Sequence, residues 1–406
     1  MNAASFISKR IFSLSKENLS STVMRITIVS VALGIAIMLI SIAVVVGFKN
    51  QIKDKVIGFI APIHIQALNQ NESIEETSFI FDSVLQARLD KPFVTYLQKT
   101  ANKAGIIKTD DEIQAVVLKG VDEGYHWDYI DSYMLDGETP RYVEGMRSND
   151  VVISGIISRK LNLNVGDDIR IWFVDNEMKA RGRKFNVKGI YETGLSECDE
   201  RFVYCDLNQI RRLNGWENNE IGHLEVWVDD EDMINYYNHE IYYSVPTNLV
   251  SYTAMESYPQ IFDWLDLQDM NVFIIITLML LVAGITIISM LLIIILERTS
   301  TIGLLKSMGA SNGLIRSIFM KHSFKILLLG MAIGNVIGLG LCLIQKYTNI
   351  ISLSPESYYL SAVPIELNIW YIIILNVGTM ALWMAMLLLP TIIINNIRPS
   401  KSIRFE

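Results

Sequence analysis

Four long apolar runs interrupt a chain that otherwise mixes polar and apolar positions. They cover residues 26–48, 272–296, 326–345 and 369–394, and none contains Asp, Glu, Lys, Arg or His. Each approaches the roughly 20 apolar residues needed to cross a hydrocarbon layer about 30 Å thick. An uncharged run is what a helix facing lipid requires, because an unassisted charge at mid-bilayer is strongly unfavourable. The pattern predicts four transmembrane helices. The first begins too late and runs too long for a secretory signal peptide, and no small-residue cleavage site follows it.

The 49–271 segment between the first two runs shows shorter periods and predicts a large α/β domain. Residues 63–67 and 113–121 read as strands and 92–104 as a helix. Val151-Val152-Ile153 predicts a strand leading into a helix over 155–161, with a turn at Gly166-Asp167-Asp168. Ile169-Arg170-Ile171-Trp172-Phe173 alternates as a half-buried strand does. Residues 184–191 and 202–205 continue that sheet, and 224–228 begins another strand. The polar connection 174–183 predicts an exposed hairpin. Two lobes are expected, one from 49–115 with 225–268, and a β-rich one inserted over 116–224.

Residues 1–25 include a stretch, 5–22, with Phe6, Ile7, Ile11 and Leu14 near one helical face among Lys9, Arg10 and Lys16. That pattern predicts a helix lying in the membrane interface. In the 297–325 connection, Ile302, Leu305 and Met308 recur close to one helical face, Gly309 is placed to end the helix and Ser311 to cap the next. A short amphipathic helix locked between two spans is suited to docking on a partner. Gly330, Gly334 and Gly338 form a strip of small residues where another helix can approach. Pro390 predicts a kink or an end to the fourth helix. Residues 346–368 form the remaining short loop, and 395–406 the tail.

Charge fixes the expected orientation. The N-terminal segment, the 297–325 connection and the tail together carry twelve Lys and Arg against Glu17, Glu297 and Glu406, while the 346–368 loop has only Lys346 with Glu356 and Glu366. The positive-inside rule puts both termini in the cytoplasm and 49–271 outside. That segment holds 22 Lys and Arg against 38 Asp and Glu, a balance that disfavours nucleic acid and anionic headgroups as its partners. With 51% hydrophobic and 19% charged residues, the whole chain fits membrane spans joined to a water-exposed body.

Little in the sequence suggests chemistry. There is no Gly-x-x-x-x-Gly-Lys-Ser/Thr phosphate loop, no His-Glu-x-x-His and no cysteine spacing typical of zinc. His64, His126, His223, His239 and His322 are scattered and read as ordinary surface or core histidines. Asp229-Asp230-Glu231-Asp232 reads as a solvated acidic turn rather than a calcium site. Cys342 reads as a small apolar residue within the third span, and the spacing of Cys198 and Cys205 leaves a disulfide open. No carboxylate in a span could relay protons, so any energy must come from a partner. The chain is expected to be a non-enzymatic subunit.

The layout of one span, a large domain and three further spans resembles the MacB/FtsX-type ABC permeases, and within them the lipoprotein-releasing LolC/LolE family. The stretches that carry the resemblance span nearly the full length. Near the start they are Phe6-Ile7-Ser8-Lys9-Arg10 and Val46-Gly47-Phe48. In the domain they are Val117-Leu118-Lys119-Gly120-Val121-Asp122, Leu163-Asn164-Val165-Gly166-Asp167, the run from Phe185 to Gly194, and Arg201-Phe202-Val203-Tyr204. Beyond it come Glu297-Arg298, the run from Ile302 to Ala310, and Arg398-Pro399 with Ile403-Arg404.

The resemblance implies a bacterial inner-membrane complex of two permease subunits, the second a copy or a paralogue, with a LolD-like cytoplasmic ATPase dimer that alone carries ATP and Mg. It implies an ATPase-coupling element at Glu297, Arg298, Ile302, Leu304, Leu305, Met308 and Gly309. Acyl chains of a lipoprotein would enter from the membrane at an apolar cavity lined by Val45, Phe48, Ile52, Met270 and Phe273. A LolA-like periplasmic chaperone would receive the cargo. LolC carries a proline-bearing hook for that chaperone, whereas the connection over 175–182 is shorter and lacks proline, so Met178, Arg181 and Gly182 are the candidates for a docking loop. MacB-like efflux and FtsX-like regulation of cell-wall hydrolases are the alternatives, the latter disfavoured by the size of this domain.

Overall fold

The computed structural model describes residues 19–69, 76–109, 112–174, 180–354 and 358–392. The interfacial helix expected over 5–22 therefore lies almost wholly outside the described residues, as does the 395–406 tail. Two compact units emerge: residues 1–49, 264–352 and 362–406, and residues 50–263 with 353–361.

The first unit is helical. Helices α1 (Leu19–Ile60), α2 (Pro259–Glu297), α3 (Thr299–Ser307), α4 (Asn312–Thr348) and α5 (Ile369–Met386) follow in order. α1, α2, α4 and the α5 segment are long and apolar enough to cross a membrane. α1 runs on twelve residues past the expected end of the first span, and α2 starts thirteen before the second. Polar residues interrupt both extensions, so hydropathy ends the apolar runs early while the backbone stays helical. α5 breaks after Met386 and helix resumes over Leu388–Thr391, so Pro390, whose ring and missing N–H cost the bond to the preceding turn, interrupts the span rather than ending it.

The glycine strip is a packing surface. A Cβ on Gly330 would lie 2.7 Å from Val31 Cγ1, one on Gly334 2.5 Å from the Ala32 carbonyl, and one on Gly338 3.2 Å from Ala36 Cα. α4 therefore packs directly on the backbone of α1, an approach only small residues permit. Two polar ties add to it. The Asn335 and Asn376 amides bond each other reciprocally, at 2.6 and 3.0 Å, joining α4 to α5. Fully buried Trp383 donates to the Leu280 carbonyl at 3.3 Å, joining α5 to α2. Leu278, Val282 and Ile285 on α2 and Val336 on α4 stay exposed, as lipid-facing side chains should.

The second unit is α/β. Its strands are β1 (Ile63–Ala67), β2 (Phe79–Ile80), β3 (Val94–Lys108), β4 (Ile113–Val121), β5 (Met134–Gly137), β6 (Asp150–Ser154), β7 (Asp168–Val174), β8 (Ala180–Tyr191), β9 (Phe202–Asp206), β10 (Glu220–Ile221), β11 (His223–Val228) and β12 (Leu249–Thr253). Ten join in one sheet in the order β12-β1-β11-β3-β4-β9-β6-β8-β5, and β7 pairs with both β8 and β3. β3, β4, β9, β6, β8 and β7 thus close a ring, although β6 touches β9 through the single pair Val152–Tyr204. β4 in the expected inserted lobe pairs along its whole length with β3 in the other, so the sheet is continuous where a lobe boundary was expected.

Residues 92–104, expected as a helix, lie mainly in β3. Their Ala, Gln and Lys content favours helix in isolation, but β11 and β4 take the hydrogen bonds on both edges, and pairing overrides propensity. The last turns of α1 also belong to this unit. Ile52, Val56 and Ile57 are fully buried there, Lys55 donates to the carbonyls of Thr193 and Tyr359 at 2.7 and 2.9 Å, and Gly58 leaves room for the Tyr129 ring. Cys198 and Cys205 are both free and buried. Burial pushes the Cys198 thiol up to about 12 and raises Cys205 as well, so neither is a reactive thiolate.

Candidate functional site

The α3 elbow is built from three local signals. Thr299 Oγ1 bonds the Ile295 and Leu296 carbonyls as α2 ends, Gly309 adopts φ +89 just past α3, and the Ser311 hydroxyl accepts from the Leu314 N–H to start α4. Gly309 thereby fills the left-handed position that closes a helix. Ile302 is buried in the helical core and Leu305 packs against it, so α3 is pinned from beneath. Leu304 and Met308 stand outward, 55% and 76% exposed, with Ser300 and Ser307 beside them. Glu297 ends α2 exposed, and Arg298 lies half-buried at the turn. Of the three residues expected on one docking face, Ile302 and Leu305 instead anchor the helix and Met308 alone stands outward; the outward face is Ser300, Leu304, Ser307 and Met308.

The expected cavity residues differ in setting. Val45 and Phe48 on α1 are half-buried, and Met270 and Phe273 on α2 are exposed. Ile52 is fully buried in the α/β unit, so its side chain offers no wall to an open slot. Nearby, Lys49 Nζ contacts Asp269 at 2.7 Å and Asp266 at 3.3 Å, pairing α1 with α2. In the expected docking loop, Met178 lies outside the described residues. Arg181 and Gly182 are strand residues of β8, paired with Phe173 and Trp172 of β7.

Several stretches that resemble known permeases hold the α/β unit together. Lys119 ion-pairs with Glu225 at 2.6 Å, both buried, and its ammonium also lies 5.6–5.8 Å from the ring centres of Phe59, Tyr125 and Tyr204. Burial disfavours both charges, but each outweighs that penalty for the other: Lys119 is raised, and Glu225 falls to about 2. Asp122 pairs with Lys99 at 3.2 Å. The Glu192 carboxylate takes a two-point contact from Arg159, at 2.7 and 3.0 Å. The Thr193 hydroxyl and Gly194 N–H donate to Asp199, whose carboxyl burial pushes up. Gly194 sits at φ +79.

Sequence reasoning missed one cluster. β1 and β11 pair with His64 opposite Glu225, and His223 lies two residues from Glu225, hence on the same face. Together with Lys119 and Glu76 these side chains line a cleft of about 670 Å³. His223 Nδ1 lies 2.8 Å from Glu76 Oε1, an ion-pair contact whose angle falls outside hydrogen-bond geometry. Burial lowers His64 to about 3, while for His223 the Glu76 and Glu225 carboxylates outweigh burial and lift it to about 9. The available signal was the alternation in His223-Leu224-Glu225-Val226, whose polar half is buried rather than solvated.

Four spans, an elbow between the second and third, and a large α/β domain after the first define a permease of the ABC class. The chain belongs to the family of the MacB-like periplasmic core domain, whose model matches residues 25–242, and residues 273–399 match the FtsX-like permease C-terminal region. The lipoprotein-releasing system transmembrane protein LolE of Haemophilus influenzae is 20% identical over 395 residues, covering 94% of each chain. The corresponding LolC of Buchnera aphidicola (subsp. Schizaphis graminum) is 20% identical over 376 residues, covering 89% of this chain and 88% of that one. Among solved structures, the periplasmic region of MacB from Actinobacillus actinomycetemcomitans aligns at 13% identity, with a TM-score of 0.35, over 52% of this chain and 95% of its own.

Proposed function

We propose that this chain is the permease subunit of an ATP-driven complex that extracts lipoproteins from the outer leaflet of the inner membrane and passes them to a LolA-like periplasmic chaperone. The observation that carries the mechanism is the α3 elbow, with Ile302 buried beneath it and Leu304 and Met308 exposed on top. A helix pinned below and apolar above can receive a push and transmit it to the spans on either side. The full-length similarity to proteins named for lipoprotein release supports the choice of cargo.

In this reading both termini are cytoplasmic and the α/β domain is periplasmic, with α3 seated in a LolD-like ATPase dimer that holds all the ATP and Mg. The chain itself is not catalytic, and two permease subunits pair. Closure of the ATPases tilts α1 and α2, and acyl chains enter beside Val45, Phe48, Met270 and Phe273. Each buried CH₂ is worth about 0.8 kcal/mol, so extraction without ATP is slow and an apolar slot lowers its barrier. The Met178, Arg181 and Gly182 region receives the chaperone, and deletion of 176–182 without loss of chaperone pull-down would remove that assignment.

The MacB-like core domain favours one second reading, an efflux permease that works through a separate conduit. Reconstitution with the ATPase and an acylated lipoprotein separates the two. ATP-dependent transfer to the chaperone supports release, and ATP turnover indifferent to lipoprotein supports efflux.

A further inference from the structure

The cleft between β1, β11 and β4 holds an arrangement that permease function does not use. Candidate ligand atoms of His64, His223 and Glu225 lie within 4.8 Å of one another, and all three residues are buried. His64 Nε2 has no hydrogen-bond partner although its residue is only 6% exposed, and Glu225 Oε2 is equally unpartnered. An orphaned, buried pair of lone-pair donors is unfavourable unless something satisfies it.

The surrounding groups aim these atoms. The Ile60 backbone serves as a hydrogen-bond partner of the His64 ring, and Nε2 is the ring nitrogen left without one. His223 Nδ1 faces the Glu76 carboxylate, and its Nε2 lies 3.7 Å from Glu225 Oε1. A backbone carbonyl behind one imidazole and a carboxylate behind the other are the outer-shell partners that metal-binding histidines use. Lys119 occupies only Oε1 of Glu225. The second oxygen is therefore available, and the adjoining cleft leaves space for a water as fourth ligand.

We propose that His64 Nε2, His223 Nε2 and Glu225 Oε2 bind one first-row transition-metal dication, the proton on His223 Nε2 leaving to solvent as the metal enters, with Zn²⁺ the best match to two imidazoles and a carboxylate. Nitrogen ligands select against Mg²⁺ and Ca²⁺, which prefer all-oxygen shells. Bound metal ties β1, which follows α1 directly, to β11 across the sheet, with Glu76 and Ile60 orienting the two rings. The site is independent of which cargo the permease moves.

The test uses the full chain in detergent, stripped with chelator and dialysed against Zn²⁺, Co²⁺ or Mg²⁺. Elemental analysis should find one Zn²⁺ per wild-type chain and no stoichiometric Mg²⁺. Wild type loaded with Co²⁺ should show the intense visible bands of a four-coordinate ion, a readout that needs no variant to fold. His64→Ala should lose the bands, and Glu76→Gln should weaken Zn²⁺ affinity about 10–100-fold, the usual effect of removing an outer-shell partner. A wild-type chain that takes up no Zn²⁺, gives only octahedral Co²⁺ bands, or binds unchanged after His64→Ala overturns the proposal.

Discussion

Lys49 Nζ lies 2.7 Å from Asp269 Oδ2, fastening α1 to α2 just past the apolar stretch of each. Asp266 makes a second, longer contact at 3.3 Å. All three side chains are at least two-fifths exposed, so the energetic weight is small; Lys49→Ala should change stability by about 1 kcal/mol or less. The position matters more than the energy. If α1 and α2 separate or tilt during the cycle, a disulfide between Lys49→Cys and Asp269→Cys should block ATP-driven release, and reductant should restore it. Unchanged release in the oxidised protein would contradict movement at this point.

On the elbow, the exposures separate docking from folding. Leu304→Glu and Met308→Glu alter side chains that touch little within the chain, so the variants should keep their melting temperature and fail to co-purify with the ATPase. Ile302→Ala should do the reverse in stability, losing about 2–5 kcal/mol as a core truncation does. Thermal melting in detergent and a pull-down with the ATPase read the two effects apart.

Along α4 the effect of added bulk should follow the strip. Gly334→Val places a Cβ 2.5 Å from the Ala32 carbonyl and should destabilise the helical unit sharply, whereas Gly340→Ala meets nothing within 4 Å and should be tolerated. Asn335→Ala leaves the Asn376 amide without its partner and should lower stability by about 0.5–2 kcal/mol, the range for interhelical side-chain bonds in membranes. Melting temperatures of the three variants in one detergent provide the comparison.

Cys198 and Cys205 should both be recovered as thiols. Alkylation after denaturation without reductant should label all three cysteines, while native labelling of these two should be slow because both are buried and their thiolates disfavoured. A mass two hydrogens lighter before reduction would contradict this.

The helical unit was largely legible because hydropathy writes spans directly into the chain, and the glycine spacing fixed which face of α4 approaches a neighbour. The ends of α1 and α2 were not legible, since helix persists where apolarity stops. β3 differs from the expected helix because Ala101, Lys103 and Ala104 favour helix until β4 pairs with their backbone. On the elbow, Gly309 and Ser311 marked the boundaries, but helical spacing alone could not tell that Ile302 faces inward. The His64–His223–Glu225 cluster depends on two strands far apart in sequence, and only their register brings the residues together. The motifs that carried the resemblance also bear on folding: Lys119 makes a buried ion pair and Gly194 fills a left-handed turn position in the domain.

In the proposed mechanism, force applied at α3 becomes displacement of acylated cargo at the other end of the spans. Its most direct measurement is lipoprotein transfer from proteoliposomes containing this chain, its permease partner and the ATPase, with and without ATP. Transfer to the chaperone should require ATP and disappear with Leu304→Glu while the complex's other subunits stay intact. Transfer that persists with Leu304→Glu, or ATP turnover that moves no lipoprotein, would contradict it.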